Sequence, residues 1–500
     1  MRKGFAAAAV ALSVLAAGCS TGVGDKSGGS VPPRVLVLAS NDGQDISGAP
    51  AVARFVDRVR EVSGGRLNVR VVTDWEGGGN EARVIRAVAA GKADLGWSGT
   101  RAFDTVGITA FQPLHAPFLV GSYPAEAAVV KDGVSRDMLA GLHSLGLTGL
   151  ALAADELRVP AAADKPLLTP ADFRGLRFGT VRSAVQERGL RALGAHAVGR
   201  GTGRVQITDE LDGVETMWWT YLQLGQFDVM PFVTVNAALW PRTVAIFANT
   251  GRLDALDRTA RGWLERAAAE AATWSTVHAS DKVGAQLNEV CSRGVRVATA
   301  SPAQLAALRS AAEPAYAVMR ADPELAGSMR RIETLVSSVA QPAPTPVPAA
   351  CSYHPGDEKR MPAPERRLTG PGNPGGLPQG TYRYSFTVEE LLPHVANRYE
   401  AEINAGVFDW TLNGGRWHYT AKLAISGPYR PGAYTSCDGW YDVQGNVARF
   451  TTTTVYSDGD CAPPQWSARW ELHRSTLTWS AVSVPDFAYV WAGKPWQRIA

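Results

Sequence analysis

An excess of charge of either sign is missing from this 500-residue sequence, in which 50 Lys and Arg are balanced by 47 Asp and Glu. The net charge of +3 indicates no surface that tracks phosphates, so we exclude nucleic acid as the default partner. Charged residues make up only 19% of the chain, against ~25% in average globular proteins, which argues against a disordered chain or a coiled coil. The length is enough for about three compact units.

Catalytic and metal-binding motifs are scarce as well. The sequence has no H-E-x-x-H and no Walker A stretch. It has no C-x-x-C either, and its eight His are scattered without ligand spacing. We therefore predict that the protein is not an enzyme and holds no cofactor and no metal, with an extracellular hydrolase as the less favoured alternative.

The chain opens with the features of an export signal. Two basic residues precede an apolar run from Phe5 to Gly18, shorter than the ~20 residues of a membrane span but suited to a signal peptide. The small residues directly before Cys19 resemble a bacterial lipobox, and a plain signal peptide is the alternative. We predict removal of residues 1–18, lipidation of Cys19 at the outer face of the bacterial cell membrane, and a flexible tether over 19–32.

The cysteines other than Cys19 are even in number, as expected where disulfides form. Sequence order favours Cys437–Cys461 and, less strongly, Cys291–Cys351, among the three connectivities that four cysteines allow.

Proline divides the chain. Ten of the 31 prolines lie within residues 341–379, where four of them alternate with other residues. Alternating proline favours a stiff, extended chain, so we predict a linker that spaces two folded parts, residues 33–340 and 380–500.

Residues 33–340 alternate apolar strands with amphipathic helices, a pattern typical of helices that cover a mostly parallel sheet. The pattern predicts strands over 34–40, 67–72 and 175–180, and helices over 51–62, 82–90, 183–193 and 253–290.

In residues 380–500, apolar residues such as Tyr382, Tyr384 and Phe386 alternate with polar neighbours. This alternation predicts an antiparallel barrel or sandwich with one buried face per strand. This part loosely resembles small lipocalin-like barrels. A barrel of this size could hold one small apolar ligand, or its own aromatic side chains could fill the interior, which we favour.

An ordered series of segments carries the main indication of function. It comprises GGGNE at 77–81, AGKADLG at 90–96, PLHAPFL at 113–119, LR at 157–158, TPADFRGLRF at 169–178, ALGA at 192–195, DGVE at 212–215 and VTVN at 233–236. The series resembles the solute-binding proteins of tripartite ATP-independent periplasmic (TRAP) transporters, over roughly residues 33–339.

The resemblance implies an α/β two-lobed periplasmic-binding-protein fold that encloses a small organic solute, often an organic acid, and delivers it to separate TRAP-type membrane permease subunits. It implies ligand contacts at Arg158 and Asn236, and we add Glu81, Glu215 and Trp218 as candidate ligand-binding residues.

One family residue is absent. The Arg that binds the ligand carboxylate in the family falls on Gly179 here. Arg182 could supply the missing guanidinium, or Gly179 could enlarge the pocket for a ligand without a carboxylate. The missing Arg gives weight to one alternative, a surface sensor or adaptor that no longer serves transport. An ABC-type receptor of the same fold is a separate alternative, which only the neighbouring membrane genes would distinguish.

Overall fold

The computed structural model describes residues 33–41, 49–73, 75, 80–181, 183–200, 211–223, 226–340, 342–343, 345–359, 370–394, 405–423, 434–455, 465–483 and 492–500. The predicted signal peptide, the tether and Cys19 lie outside this part of the chain, as do Arg182 and Cys461. The strands form two mixed sheets and one closed barrel, which confirms the predicted two-part architecture.

The strands of the α/β part are β1 (Arg34–Ala39), β2 (Leu67–Val72), β3 (Leu95–Gly99), β4 (Leu147–Ala153), β5 (Leu157–Ala162), β6 (Arg177–Val181), β7 (His196–Arg200), β8 (Gly213–Thr216), β9 (Phe232–Thr234), β10 (Trp240–Pro241), β11 (Val244–Asn249) and β12 (Arg296–Ala298).

Its helices are α1 (Pro50–Ser63), α2 (Glu81–Ala89), α3 (Tyr123–Lys131), α4 (Val134–Ala140), α5 (Pro170–Phe173), α6 (Ala184–Ala192), α7 (Trp218–Gln223), α8 (Thr250–Asp254), α9 (Arg258–His278), α10 (Val283–Ser292), α11 (Pro302–Ala311), α12 (Glu313–Ala321) and α13 (Ala326–Ser338). Short 3-10 helices include Thr100–Val106, Gln112–His115 and Ala349–Cys351.

The first lobe is built on a sheet with strand order β2-β1-β3-β11-β4. Strand β1 runs parallel to β2 and β3, whereas β11 is antiparallel to β3 and β4. Helix α1 covers this sheet because Val52, Phe55 and Val59 recur at helical spacing and are all buried. The predicted parallel pattern therefore holds for one half of the sheet.

The second lobe is built on a sheet with order β12-β9-β5-β8-β6-β7, to which β10 adds by pairing with β5. Residues 154–156, between β4 and β5, and residues 242–243, between β10 and β11, are two of the connections from one sheet to the other. These crossings bring the ends of strands from both sheets together.

The prediction of one helix over 253–290 is wrong. The segment forms the end of α8, then α9 and most of α10, and α9 has 21 residues. The Asp257 side chain accepts a hydrogen bond from the Ala260 N–H at 2.8 Å, so it starts a new helix instead of continuing the preceding one. Alanine content favours helix throughout but does not set the boundaries.

The expectation of a purely extended spacer over 341–379 is wrong for residues 345–359. Cys351 forms the predicted disulfide with Cys291, with Cα atoms 5.1 Å apart. Ser352 forms a parallel β-bridge with Val297, and the Tyr353 N–H donates to the Val297 carbonyl at 2.9 Å. This stretch is therefore part of the second lobe.

The end of the linker packs on the barrel. The Val443 N–H donates to the Asn373 carbonyl at 2.8 Å, and Leu377 is buried in the barrel's core cluster. Residues 360–369, between the two packed stretches, lie outside the described part.

The described residues of the C-terminal part form α14 (Val388–Leu391) and eight antiparallel strands: β13 (Gly380–Phe386), β14 (Gly406–Asn413), β15 (Arg416–Leu423), β16 (Tyr434–Gln444), β17 (Val447–Val455), β18 (Gln465–His473), β19 (Thr476–Ser480) and β20 (Trp496–Arg498). Strand β20 pairs with β13, so the barrel is closed and the prediction of an antiparallel barrel is confirmed.

Aromatic rings occupy the barrel's core. The fully buried Trp410 lies with its ring centroid 5.0 to 6.5 Å from those of Trp417, Phe450, Trp466, Trp479 and Trp496. These contacts favour the filled interior over a ligand cavity. Cys437 is disulfide-bonded, and its predicted partner Cys461 lies outside the described residues.

Candidate functional site

Buried charged side chains gather where the two sheets meet. Arg101 follows β3, Arg158 lies in β5, and Glu81 opens α2, while Glu215 lies in β8 and Arg242 follows β10. All five are less than 10% exposed, and Arg101 interacts electrostatically with each of the other four. We call these five residues the charged cluster. Burying charge is costly unless the charges are paired, so the cluster is a candidate site.

The first pair of the cluster is Arg101 with Glu81. The Asn80 side chain accepts from the Arg83 N–H at 3.3 Å and caps α2, which places Glu81 in the first turn, where a carboxylate is favoured. Glu81 Oε1 accepts from the Gly99 N–H at 2.8 Å, and Glu81 Oε2 lies 3.0 Å from Arg101 Nη2. Burial lowers the pKa of the Arg101 guanidinium, and Glu81 opposes this shift.

The second pair is Arg158 with Glu215, on the paired strands β5 and β8. Arg158 Nε donates to Glu215 Oε2, and Glu215 is only 1% exposed. Glu215 Oε1 has no hydrogen-bond partner among the described residues, and neither has Arg101 Nε. An acceptor oxygen and a donor N–H are thus buried and unsatisfied in the same cluster, at a cost that a bound ligand can remove.

The third pair joins the two connections that run between the sheets, residues 154–156 and 242–243. Arg242 Nη1 donates to Asp155 Oδ2, and the guanidinium lies 5.4 Å from the centroid of the Trp97 ring. The next residue, Glu156, accepts from Gln286 Nε2 at 3.0 Å. Burial raises the pKa values of both carboxyl groups, and Arg242 offsets only part of each shift.

His115 belongs to a neutral polar network beside the cluster. Its Nε2 lies 3.0 Å from Thr100 Oγ1, which is 2.8 Å from Thr243 Oγ1. Its Nδ1 lies 3.4 Å from Gln186 Nε2 in α6. Burial lowers the pKa of His115 to about 3, and the nearby arginines of the cluster add to the shift. The imidazole is therefore neutral at physiological pH.

The structure brings together three of the six predicted ligand-binding residues, Glu81, Arg158 and Glu215. Trp218 lies instead in the core of the second lobe, with its ring 6.2 Å from that of Tyr221. The Asn236 side chain makes two 2.8 Å hydrogen bonds with the backbone of Ala300.

The remaining prediction, Arg182, lies outside the described residues, while Gly179 is buried in β6. Ligand contacts at all six positions stay predictions.

Sequence reasoning missed Arg101, Arg242 and His115. Each arginine lies one or two residues beyond the end of a buried strand, a position that often carries functional side chains. His115 lies inside the PLHAPFL segment that already carried the family resemblance. The described ranges contain no group of three or more His, Cys, Asp or Glu that could hold a metal ion. The helices in these ranges also include none long and apolar enough to span a membrane.

Two α/β lobes that meet at strand crossings are the architecture of the class of binding proteins that close around a ligand. A family profile described as bacterial extracellular solute-binding protein, family 7 (DctP), matches residues 42–322. Because this match covers more than half of the 500 residues, the chain belongs to that family. The resemblance inferred from the ordered segments is confirmed.

Two known relatives show the range of similarity. The C4-dicarboxylate-binding periplasmic protein DctP of Rhodobacter capsulatus is 23% identical over 246 residues, which are 49% of this chain and 73% of that protein. The 2,3-diketo-L-gulonate-binding periplasmic protein YiaO of Escherichia coli K12 is 30% identical over 150 residues, 30% of this chain and 44% of that protein.

Solved structures share the fold of the α/β part. A TRAP periplasmic solute-binding protein from Ralstonia eutropha H16 with bound (S)-2-acetolactate has a TM-score of 0.55 at 18% identity, over 61% of this chain and 99% of that chain. One from Xanthobacter autotrophicus Py2 with bound β-D-galacturonate has a TM-score of 0.53 at 21% identity, over 60% of this chain and 99% of that chain. These identities establish the fold alone.

Proposed function

We propose that this protein is an extracytoplasmic receptor that captures a small organic acid between its two lobes and delivers it to TRAP-type membrane permease subunits. Family membership supports the receptor role. The relatives named above are described as binding a C4-dicarboxylate or diketogulonate, and the solved structures hold acetolactate or galacturonate, all of them organic acids.

The unsatisfied atoms of the charged cluster carry the proposal. Arg101 Nε is a buried donor without a partner among the described residues, and Glu215 Oε1 is a buried acceptor without one. A carboxylate supplies the acceptor that the guanidinium needs, and a neighbouring hydroxyl group supplies the donor that Glu215 needs. A hydroxylated monocarboxylic acid therefore fits these atoms better than a dianion, which would meet Glu81 and Glu215 with like charge.

The mechanism follows from where the cluster lies. Its residues come from both sheets, so a solute among them contacts both lobes at once and favours the closed arrangement. Only the closed form would then dock productively on the permease. We keep the predicted lipid on Cys19 as part of the proposal, since it would hold the receptor close to the membrane. A Cys19→Ser variant should move from the membrane fraction to the soluble fraction.

A ligand screen tests the receptor role. We expect at least one hydroxylated monocarboxylic acid to raise the melting temperature of the full chain, since a ligand at 100 times its Kd adds about 2.7 kcal/mol. The panel is lactate, gluconate, galacturonate, malate, alanine and glucose. No shift with any of these solutes would contradict the proposal.

A matched pair of variants ties the shift to the cluster. Arg158→Lys keeps the positive charge beside Glu215 but loses the planar fork of donors, so it should weaken the best ligand at least tenfold. The control is Arg177→Lys, on β6 of the same sheet, where the arginine pairs with Asp212 at the surface. An equal loss of affinity in both variants would place the binding site elsewhere.

The absence of the family arginine at Gly179 favours one second candidate, a sensor or adaptor that binds a solute without serving transport. Deleting the gene separates the two roles. Loss of uptake of the identified acid supports the transport receptor, whereas unchanged uptake with an altered cellular response supports the sensor.

A further inference from the structure

Two ion pairs of the charged cluster each lie within a single lobe. Glu81 opens α2 and Arg101 follows β3, so both residues belong to the first lobe. Arg158 and Glu215 lie on β5 and β8, which are paired strands of the second sheet. Neither pair bridges the lobes, so each lobe presents its own pair to a solute that enters between them.

The Glu81 carboxylate is engaged by its own lobe. Its Oε1 accepts from the Gly99 N–H at 2.8 Å, and its Oε2 lies 3.0 Å from Arg101 Nη2. The pair packs directly on Gly99, because a Cβ at that position would collide with Arg101 Nη1 and come within 2.9 Å of Glu81 Oε1. Both Glu81 oxygens therefore face donors of the first lobe, and what this lobe offers a solute is the buried Arg101 Nε donor.

The Glu215 carboxylate differs from that of Glu81 in this respect. Arg158 Nε donates to Glu215 Oε2, whereas Glu215 Oε1 is buried and has no hydrogen-bond partner among the described residues. Glu215 also interacts electrostatically with Arg101 of the other lobe. The second lobe thus offers a solute an acceptor oxygen, in the same cluster as the donor of the first lobe.

We propose that the two lobes recognise different groups of the solute: Arg101 binds its acid group, and Glu215 selects for a hydroxyl group and against a second acid group. This inference rests on the proposed receptor function and names Glu215 as the residue that sets the class of solute. A carboxylate supplies the acceptor that Arg101 Nε lacks. A hydroxyl group supplies the donor that Glu215 Oε1 lacks, whereas a second carboxylate has no donor to offer and is repelled.

The charge balance of the cluster supports the same selection. The two pairs contain two arginines and two glutamates, so they carry no net charge before a solute binds. Arg242 is already paired with Asp155. One acid group therefore leaves one uncompensated negative charge at the junction, and a second acid group would add another beside the Glu215 carboxylate, where burial makes like charges costly.

Glu215→Gln tests this selection without changing the shape of the side chain. The amide oxygen still accepts from Arg158, and the amide NH2 group replaces the free acceptor by a donor. The repulsion of a second acid group is removed, so E215Q should gain affinity for diacids, a result that misfolding would not produce. The control is D212N, which makes the same change in a carboxylate that pairs with Arg177 at the surface, directly before β8.

Calorimetric titration of the full chain measures the Kd values of matched monoacids and diacids. The pairs are lactate with malate, gluconate with glucarate, and galacturonate with galactarate, while propionate and 2-deoxygluconate lack the hydroxyl group beside the acid group. In the parent and in D212N, the diacid and the acid without the hydroxyl group should each bind at least about tenfold more weakly than the matched hydroxy monoacid. E215Q should shift the ratio of diacid to monoacid affinity about tenfold or more towards the diacid.

The outcomes separate this inference from the receptor role. An unchanged affinity ratio in E215Q, an equal shift in D212N, or a parent that binds diacids as tightly as monoacids would overturn the inference and leave the receptor role intact. If neither the parent nor E215Q binds any of these acids, the inference and the proposed function are both contradicted. If E215Q fails to fold by circular dichroism, R158Q/E215Q, which removes both charges of the pair, decides by the same ratio.

Discussion

The two parts of this protein bury different chemistry. At the junction of its two sheets, the α/β part buries three arginines and their carboxylate partners, whereas the barrel's core consists largely of aromatic rings. Aromatic packing stabilises a core by itself. Buried ion pairs cost about as much in lost hydration as they return, so the pairs at the junction add little net stability compared with the barrel's rings.

The largest expected effect tests the barrel side of this comparison. Trp410→Ala removes the ring that contacts five other aromatic residues and should lower the free energy of unfolding of the barrel by about 3–5 kcal/mol. Calorimetry of the full chain should show the barrel transition shifted and the α/β transition in place. A shift of less than about 1 kcal/mol would mean that the core is loosely packed.

In the α/β part, removing one side chain of a buried ion pair should lower the free energy of unfolding. Arg158→Met leaves the Glu215 carboxylate buried and uncompensated, and should cost roughly 3–5 kcal/mol in urea unfolding. The double variant with Glu215→Met should recover most of this loss, because two apolar side chains replace the pair. Arg177→Met removes a surface pair and should cost less than about 1 kcal/mol. Equal losses at both sites would contradict the distinction between buried and exposed pairs.

The smallest expected effect depends on pH. The pKa of His115 is about 3 in the folded protein against 6.5 for an unperturbed His, so below pH 6.5 the unfolded chain binds a proton that the folded chain does not. Stability should therefore fall as the pH falls from about 6.5 towards 3, by at most ~1.4 kcal/mol per pH unit from this group.

The measurement compares how steeply the free energy of unfolding changes with pH in each variant, between pH 5.0 and 6.5. His115→Gln should flatten the dependence of the free energy of unfolding on pH in the α/β part. His354→Gln changes an exposed histidine and should leave the slope as it is. A slope that persists in His115→Gln would show that other groups carry the acid sensitivity.

Local pattern predicted a large share of the fold. The spacing of Val52, Phe55 and Val59 predicted α1, and alternation by twos predicted β13, because each pattern follows from the geometry of one element. The Cys291–Cys351 disulfide was also predicted and is confirmed. The boundary at Asp257 was missed, since one capping hydrogen bond outweighs the helix propensity of the alanines around it.

The candidate site was predicted only in part. Resemblance to the family placed Arg158 at the junction of the lobes, but pairing Arg101 with Glu81 requires the end of β3 to lie against the start of α2. The contact of Asp104 with Ser183 joins the 3-10 helix after β3 to the start of α6, and no periodic pattern in the sequence connects the two residues.

By itself, the sequence determined the class of protein, the two-part architecture and the alternation that builds the barrel, since these depend on composition, spacing and segment order. Only the tertiary structure decided which charges neutralise one another, which polar atoms stay unsatisfied, and that part of the proline-rich segment packs on the second lobe. The physical reason is that ion pairing and desolvation depend on distances of a few ångströms between residues far apart in the chain, which the folded backbone alone sets.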